Sequence, residues 1–336
     1  MDNYTLVTGG AGFIGSHLAE TLLKSGHKVV VVDNFNDFYD PEIKRGNTKA
    51  IKIQMDKLGI PEDNIQILER DIREPEQMDK LFATYPIQLV VHLAAMAGVR
   101  PSISAPLLYN DVNINGTLNL LEMCKKYGVK KFVFASSSSV YGNNKKVPFA
   151  ETDFVDHPIS PYAATKRAGE LLCHTYHHLY GMDISCLRFF TVYGPGQRPD
   201  LAIHKFTKLI INEEEVPFYG DGTTERDYTY IDDIIDGVLR AIQWVENGQG
   251  SYEIFNLGES RTINLKQMVT TLEKAIGKKA KIKVLPIQPG DVKRTYADIT
   301  KAQKILGYNP ATAFEDGIEK FVQWYKECNK LTLINV

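Results

Sequence analysis

The sequence predicts an α/β protein, in which a doubly wound parallel sheet of the Rossmann type is followed by a second, smaller mixed α/β domain. Three observations predict this fold. Strand-like and helix-like segments alternate from residue 4 to about residue 190. A glycine-rich turn separates the first strand from the first helix. Small or polar residues follow several strands at their carboxyl ends, where open α/β sheets bind ligands.

Composition narrows the class of protein. The chain has 336 residues, with 43% hydrophobic and 24% charged residues and a formal net charge of -2. This balance predicts neither a nucleic acid nor an anionic membrane as a partner. No apolar run approaches the roughly 20 residues that span a bilayer. The four cysteines, far apart and without Cys-x-x-Cys spacing, indicate reduced thiols, so we expect a cytoplasmic protein.

The first strand-like segment leads directly into a phosphate-binding pattern. Gly9, Gly12 and Gly15 follow it at three-residue spacing, and a helix begins at Phe13 and Ile14. Gly9 allows the tight turn, Gly12 lets backbone approach a pyrophosphate, and Gly15 lets helix pack on strand. A phosphate would then lie at the helix N-terminus, near the backbone of Phe13 and Ile14.

A second strand, residues 29–32, ends in Asp33 and Asn34, about twenty residues after the glycine pattern. A carboxylate there accepts the ribose hydroxyls of a dinucleotide and repels the extra phosphate of NADP. The spacing therefore predicts NAD as cofactor. The alternative is a strand-end aspartate in a solvated turn.

Two further strand ends complete the predicted cofactor site. Residues 64–69 form a strand that leads to Asp71 and Ile72, where Asp71 would meet the adenine amine. Residues 89–95 form a fourth strand, and its small final residues would let a flat cofactor lie against the backbone. Those final residues are Leu93, Ala94 and Ala95.

The next strand carries the candidate catalytic groups. An apolar run, residues 131–135, is followed by the hydroxyls of Ser136, Ser137, Ser138 and Ser139. Tyr162 and Lys166 then lie four residues apart, which on a helix puts them on one face. A cation near the phenol favours the phenolate, a base usable near neutral pH. The alternative is an ordinary helix-face pair beside a polar loop.

Beyond this helix, His174, His177 and His178 have helical spacing, but acidic or cysteine partners are missing nearby, so we expect no metal site. The strict alternation is lost near residue 190. A helix-like stretch, residues 231–242, is expected to return to the first domain.

These residues, with Asn113 in the helix of residues 110–121, give the chain a resemblance to the extended short-chain dehydrogenase/reductases over nearly its whole length. Within them it is most similar to the nucleotide-sugar epimerases that act on UDP-glucuronate. The segments that carry the narrower resemblance are residues 36–40 with 44–45, residues 97–102 and residues 191–200.

The resemblance implies a domain division and a site. Residues 1–190, with 228–246, would bind NAD, including through Asn113 and Ser136, and residues 191–336 would bind the nucleotide sugar. Tyr162 would remove the proton of the sugar 4-hydroxyl, Lys166 would lower the phenol pKa, and Ser137 or a neighbouring serine would share the proton. The family also implies a homodimer.

A sugar carboxylate must be restrained once C4 is oxidised. Thr191 and Arg198, with Ser138 and Ser139, are the candidates, because guanidinium and hydroxyl groups bind carboxylates; Arg100 is the second choice. The alternative for Arg198 is a solvated loop charge. By resemblance, further substrate-binding residues lie in the second domain. They are Val216, Phe218, Tyr219, Arg226, Gln288 and Asp291.

The decarboxylases and dehydratases of this fold carry Glu directly before Val-Tyr-Gly, where this chain has Ser139. That difference favours an epimerase, with UDP-glucose 4-epimerase or UDP-glucuronate decarboxylase as alternatives. A dinucleotide sensor without chemistry would have no need of Tyr162 and Lys166. Gln288 departs from the arginine usual in the family, so Arg294 is a substitute candidate.

Overall fold

A computed structural model describes residues 3–248, 250–286 and 292–334. In this part of the chain, seven parallel strands form one sheet. The strands of this sheet are β1 (Tyr4–Thr8), β2 (Lys28–Asp33), β3 (Ile65–Glu69), β4 (Ile87–His92), β5 (Lys131–Ser137), β6 (Asp183–Phe189) and β11 (Tyr252–Leu257). Their order is β11-β6-β5-β4-β1-β2-β3, so the strand order reverses beside β1 and opens a crevice there.

Helices cover both faces of this sheet. Successive strand residues point to opposite faces, and Val29 and Val31 join one core cluster while Val30 and Val32 join the other. The helices that cover the sheet and join its strands are α1 (Phe13–Lys24), α2 (Pro41–Leu58), α3 (Pro75–Thr84), α4 (Val99–Ser104), α5 (Pro106–Asn110), α6 (Gly116–Tyr127), α7 (Pro161–Tyr180) and α9 (Ile231–Glu246).

A smaller mixed region follows the sheet. Among the residues that the structure describes, three two-stranded sheets pair β10 (Tyr228–Tyr230) with β7 (Thr191–Tyr193), β12 (Ile263–Asn264) with β9 (Glu225–Arg226), and β13 (Lys281–Leu285) with β8 (Glu215–Tyr219). Its helices are α8 (Ala202–Ile211), α10 (Leu265–Ile276), α11 (Thr300–Leu306) and α12 (Phe314–Ile334). The predicted α/β class, with a parallel sheet and a smaller mixed region, is confirmed.

Three local features differ from the sequence expectation. The fourth strand ends at His92 rather than Ala95, because its neighbour β1 ends at Thr8. A π-helical turn, Asp111–Asn115, interrupts the helix expected over residues 110–121. The late segment β11 also joins the main sheet beside β6, whereas only residues 228–246 were expected to return.

Helix α7 lies unusually close to the sheet at Gly169. A Cβ atom on Gly169 would stand 2.3 Å from Cζ of Phe134 on β5. Glycine therefore permits the close approach of the helix that carries Tyr162 and Lys166 to the strand that carries the serines. In the described ranges, no helix combines the length and apolar character that a membrane crossing requires.

Candidate active site

A cleft of about 410 Å³ lies along the carboxyl ends of the parallel strands. It is lined by most of the residues that the sequence singled out. These are Gly9, Gly12, Phe13, Ile14, Gly15, Asp33, Asn34, Asp71, Ile72, Leu93, Ala94, Ala95, Ser136, Ser137, Ser138, Ser139, Tyr162, Lys166, Thr191 and Arg198.

The glycine turn leaves a cradle that side chains would fill. A Cβ on Gly9, where φ is +66°, would stand 2.8 Å from the backbone of Ala94, and one on Gly15 would stand 2.2 Å from the Gly9 carbonyl oxygen. The Gly12 amide donates to that same carbonyl at 3.0 Å. The N-terminus of α1 therefore faces the cleft with glycine backbone between them. This arrangement leaves room for the pyrophosphate of a dinucleotide.

Asp33 is buried in an ion pair that the sequence analysis did not predict. Its carboxylate accepts hydrogen bonds from the Phe35 amide at 2.9 Å and from the Lys44 ammonium at 3.2 Å. Both side chains are buried. Since Lys44 balances the charge, repulsion alone does not explain a preference for NAD over NADP. The carboxylate still lines the cleft as a hydroxyl acceptor.

Asp71 and Asn34 meet at the neighbouring strand ends. The Asn34 amide donates to Asp71 at 2.9 Å, and Arg73 donates at 2.8 Å. Burial raises the pKa of Asp71, but the hydrogen bonds from Arg73 and Asn34 outweigh burial and lower that pKa to about 2. Asp71 is therefore an ionised acceptor in the place where an adenine amine was expected.

Asn113 lies behind the cleft. The Met96 amide donates to its side-chain oxygen at 2.8 Å, and its amide nitrogen donates to the Met96 carbonyl at 3.0 Å and to the Thr165 hydroxyl at 3.0 Å. Asn113 therefore fixes the loop after Ala95 and ties it to α7. Its expected contact with the cofactor stays a prediction.

Tyr162 and Lys166 lie at the start of α7, which the Ser160 hydroxyl caps by accepting from the Ala163 amide at 3.1 Å. The Lys166 ammonium donates to the Ala135 carbonyl at 2.7 Å, and burial lowers its pKa to about 8. Burial raises the pKa of Tyr162, while the hydrogen bond with Ser137 and the charge of Arg198 lower it.

The expected effect of Lys166 on the Tyr162 phenol stays a prediction, because in this structure the groups that oppose burial at Tyr162 are Ser137 and Arg198.

The serines form a short turn at the end of β5. Ser139 donates to the Ser137 hydroxyl oxygen through its amide at 3.2 Å and its hydroxyl at 2.8 Å. Ser137 is thus held beside the phenol.

Glu170 is a buried positioning group that the sequence analysis missed. Its carboxylate, 0% exposed, accepts from Arg188 Nε at 2.8 Å and Nη2 at 2.9 Å, from Ser136 Oγ at 2.6 Å and from Arg167 Nη1 at 3.0 Å. The four-residue spacing of Tyr162, Lys166 and Glu170 was the signal available in the sequence. The network ties α7 to β5 and β6.

Thr191 and Arg198 complete the cleft on the side of the smaller region. Arg198 donates to Asp200 through Nε at 2.9 Å and Nη2 at 2.7 Å, and its guanidinium carbon lies 5.2 Å from the centroid of the Phe38 ring. Asp200 and Phe38 thus fix the Arg198 side chain at the cleft wall, and Arg198 is not a solvated charge on a loop.

Other predicted substrate residues are not part of the lining of this cleft. Arg100 stacks on Tyr219, with its guanidinium carbon 5.2 Å from the ring centroid, and Arg226 donates to the Glu225 carbonyl at 2.8 Å. Val216 and Phe218 are buried in β8. None of these five residues lines the cleft.

Two predicted residues, Gln288 and Asp291, fall outside the described residues. The substitute candidate Arg294 is paired with Glu225. Within the described ranges, no three His, Cys, Asp or Glu side chains are grouped to hold a metal ion. His174 and His177 instead pack against the ring of Tyr252.

Comparisons with known proteins agree on one family. A family model described as GDP-mannose 4,6 dehydratase matches residues 6–321. The UDP-glucuronate 4-epimerase of Thermodesulfobacterium geofontis is 47% identical over 96% of both chains. UDP-glucuronate 4-epimerase 3 of Arabidopsis thaliana is 43% identical over 95% of this chain and 76% of its own.

A solved structure resembles the whole fold. The UDP-glucuronic acid 4-epimerase from Bacillus cereus, in complex with UDP-glucuronic acid and NAD, has a TM-score of 0.87 and 38% identity over 97% of this chain and 99% of its own. A UDP-glucose 4-epimerase from Thermotoga maritima, solved with UDP-glucose, has a TM-score of 0.85 and 35% identity over 97% and 99%.

The Glu170–Arg188 pair leads to a stability prediction. Glu170→Met should lower the free energy of unfolding by about 3 kcal/mol or more, because it leaves the buried charge of Arg188 without its partner, and Arg188→Met should lower it by less, because Glu170 keeps Arg167 and Ser136 as donors. The double variant should lose clearly less than the two single losses combined. Urea unfolding of the four proteins measures this coupling, and strictly additive losses would show that the pair does not act as a unit.

Proposed function

The chain belongs to the extended short-chain dehydrogenase/reductases, in the family described as GDP-mannose 4,6 dehydratase, and on that premise we propose that it is an NAD-dependent UDP-glucuronate 4-epimerase, an isomerase. It interconverts UDP-glucuronate and UDP-galacturonate through a 4-keto sugar. The observation that carries this proposal is one cleft that combines a dinucleotide cradle, the Tyr162–Ser137 pair and the held Arg198.

The residues present fit NAD. The bare backbone at Gly9 and Gly15 leaves room for the pyrophosphate, Asp33 would accept hydrogen bonds from the ribose hydroxyls, and the ionised Asp71 would accept one from the adenine amine. When bound, NAD supplies the oxidation of the sugar carbon C4 and its later reduction. Lys166 would hold the nicotinamide ribose with its buried ammonium.

Tyr162 and Ser137 handle the proton of the 4-hydroxyl. The Tyr162 phenolate accepts that proton while C4 is oxidised, and the Ser137 hydroxyl shares it through its hydrogen bond with the phenol. The proton returns to the oxygen when C4 is reduced from the other face of the sugar. Lys166 and Arg198 supply positive charge that favours the phenolate.

Arg198 and the neighbouring hydroxyls restrain the sugar carboxylate. After C4 is oxidised the substrate is a β-keto acid, which loses carbon dioxide when the C5–C6 bond breaks and its electron pair enters the enolate. A cation paired with the carboxylate opposes this loss, because decarboxylation would move the negative charge away from the cation and into the enolate. Thr191, Ser138 and Ser139 line the cleft nearby as hydroxyl donors.

Two observations separate this function from its alternatives. Ser139 stands where the decarboxylases and dehydratases carry a proton-transferring glutamate, so the chain lacks the acid for further elimination chemistry. The guanidinium of Arg198 at the cleft wall gives a charged group that a neutral sugar does not need. UDP-glucose 4-epimerase and UDP-glucuronate decarboxylase remain the alternatives for direct test.

Residues 191–336 form the nucleotide-sugar-binding domain in this proposal, and residues 1–190 with 228–246 bind the cofactor. The uracil and diphosphate would lie beyond the cleft described above, toward Val216, Phe218, Tyr219 and Arg226. A cytoplasmic location agrees with the buried thiols of Cys124, Cys173 and Cys186. Photolabelling with a UDP analogue should modify the second domain; labelling confined to residues 1–190 would contradict the division.

The enzyme forms a homodimer through α7 and the adjoining α5. Leu171 and Leu179 on α7 and Leu107 on α5 are exposed, Leu107 at 84%, and the two helices pack together. The double variant Leu107→Glu, Leu171→Glu should be monomeric by sedimentation velocity, because charges would enter an apolar interface. Leu58→Glu, on the exposed face of α2, is the control. A wild-type monomer would contradict this proposal.

Product analysis tests the function directly. With UDP-glucuronate, chromatography and NMR of the nucleotide sugars should show UDP-galacturonate and no release of carbon dioxide. The same assay with UDP-glucose should show far less conversion, because Arg198 then lacks its carboxylate partner. UDP-pentose as the main product would identify a decarboxylase, and efficient conversion of UDP-glucose alone would identify a neutral-sugar epimerase.

Tyr162→Phe tests the proposed base. Loss of the phenol should lower kcat by at least about a hundredfold, the usual contribution of a positioned acid–base group. Bound NAD, measured after denaturation, should stay at the wild-type level, because the glycine cradle and Asp33 are unchanged. Wild-type kcat in Tyr162→Phe would exclude Tyr162 as the proton acceptor.

A further inference from the structure

Asp200 and Phe38 fix the Arg198 guanidinium from two directions. The Asp200 carboxylate accepts two hydrogen bonds, from Arg198 Nε at 2.9 Å and from Nη2 at 2.7 Å, which sets the position of the guanidinium in its plane. The Phe38 ring, 5.2 Å from the guanidinium carbon, covers its face. Arg198 and Phe38 line the cleft, whereas Asp200 does not.

This arrangement leaves one edge of Arg198 for a ligand. A guanidinium can bind a carboxylate with two parallel hydrogen bonds along its Nε/Nη2 edge or along its Nη1/Nη2 edge. Asp200 occupies the Nε/Nη2 edge. Over the described residues, Arg198 Nη1 donates to no protein acceptor. The second edge therefore remains for a carboxylate from the cleft.

We propose that Asp200 is a positioning residue for substrate selection: it aims the Nη1/Nη2 edge of Arg198 at the carboxylate of a uronate sugar. The proposal rests on the function proposed above and adds a specificity role to a residue outside the cleft. A guanidinium held in this way binds an acid in preference to a neutral sugar, and it keeps negative charge on the carboxylate after C4 is oxidised.

Two effects of Asp200 on a bound uronate have opposite signs. Its negative charge weakens the attraction of Arg198 for a second carboxylate, whereas its two hydrogen bonds orient the guanidinium. Burial lowers the pKa of Arg198, but the hydrogen bonds and the charge of Asp200 raise that pKa by more than burial lowers it. Arg198 therefore stays charged. Orientation is the larger effect in our account, because losing two charge-assisted hydrogen bonds frees a long side chain.

Asp200→Asn separates these effects, since it removes the charge and one acceptor but keeps the shape. By titration calorimetry of the NAD-loaded protein, its Kd for UDP-glucuronate should rise about tenfold, as expected for loss of an oriented charged hydrogen bond. Its Kd for UDP-glucose should stay unchanged. During turnover of UDP-glucuronate, the share of UDP-pentose should increase. Asp200→Glu keeps the charge and should recover part of the affinity.

Asp37→Asn is the matched control. Asp37 is exposed on the loop beside Phe38, and the same substitution removes one negative charge from that surface without touching Arg198. Its two Kd values should match wild type. Thermal unfolding of all variants checks that the fold is retained, which the exposure of Asp200 leads us to expect.

Unchanged or tighter binding of UDP-glucuronate by Asp200→Asn would overturn the proposal, because charge would then outweigh orientation. Equal weakening for UDP-glucuronate and UDP-glucose would also overturn it, since that pattern indicates a general structural role. The binding comparison does not depend on product identity. If wild type makes no UDP-galacturonate, the proposed function fails while the Asp200 proposal is still decided by the two Kd values.

Discussion

The geometry of the site depends on the hydrogen bonds that the buried carboxylate of Glu170 accepts. This carboxylate joins α7 to Ser136 on β5 and to Arg188 on β6, and these two strand residues are themselves paired neighbours in the sheet. Arg188 is 1% exposed and also donates to the Tyr141 hydroxyl at 3.0 Å. Burying the Glu170–Arg188 pair carries a desolvation penalty, so the main contribution of the pair is to fix one position of α7. That position sets Tyr162 beside Ser137.

In the proposed function, the site divides into a part for redox chemistry and a part for the acid group of the sugar. Glycine-lined backbone, Asp33 and Lys166 belong to the first part and would serve any reaction of this fold. Arg198, Thr191, Ser138 and Ser139 belong to the second. Tyr162 stands where the two meet, because Ser137 and Arg198 both lower its pKa against the effect of burial.

The sequence allowed the prediction of those features that depend on spacing within one element. Three glycines before a helix, Asp33 after a strand and Tyr162 four residues before Lys166 are local patterns, and all of them line one cleft. The pairing of Lys44 with Asp33 was not predictable in this way. It joins the end of β2 to α2, so no spacing within one element encodes it.

Glu170 illustrates the same limit, since its partners lie on two strands that only the finished sheet brings together. Strand β11 was missed because a single late strand carries no alternating pattern of its own, although it completes the sheet beside β6. Arg100 was the second choice for the sugar carboxylate, and in the structure its guanidinium stacks on Tyr219 and does not line the cleft.

In the proposed function, one enzyme oxidises and then reduces the same sugar carbon while the carboxylate is retained. UDP-glucuronate labelled with deuterium at C4 and with carbon-13 at C6 tests this most directly. NMR of the product formed in ordinary water should show UDP-galacturonate that keeps both labels, because the hydrogen removed from C4 returns to C4. Replacement of the deuterium by solvent hydrogen, or loss of the labelled carbon, would contradict the account.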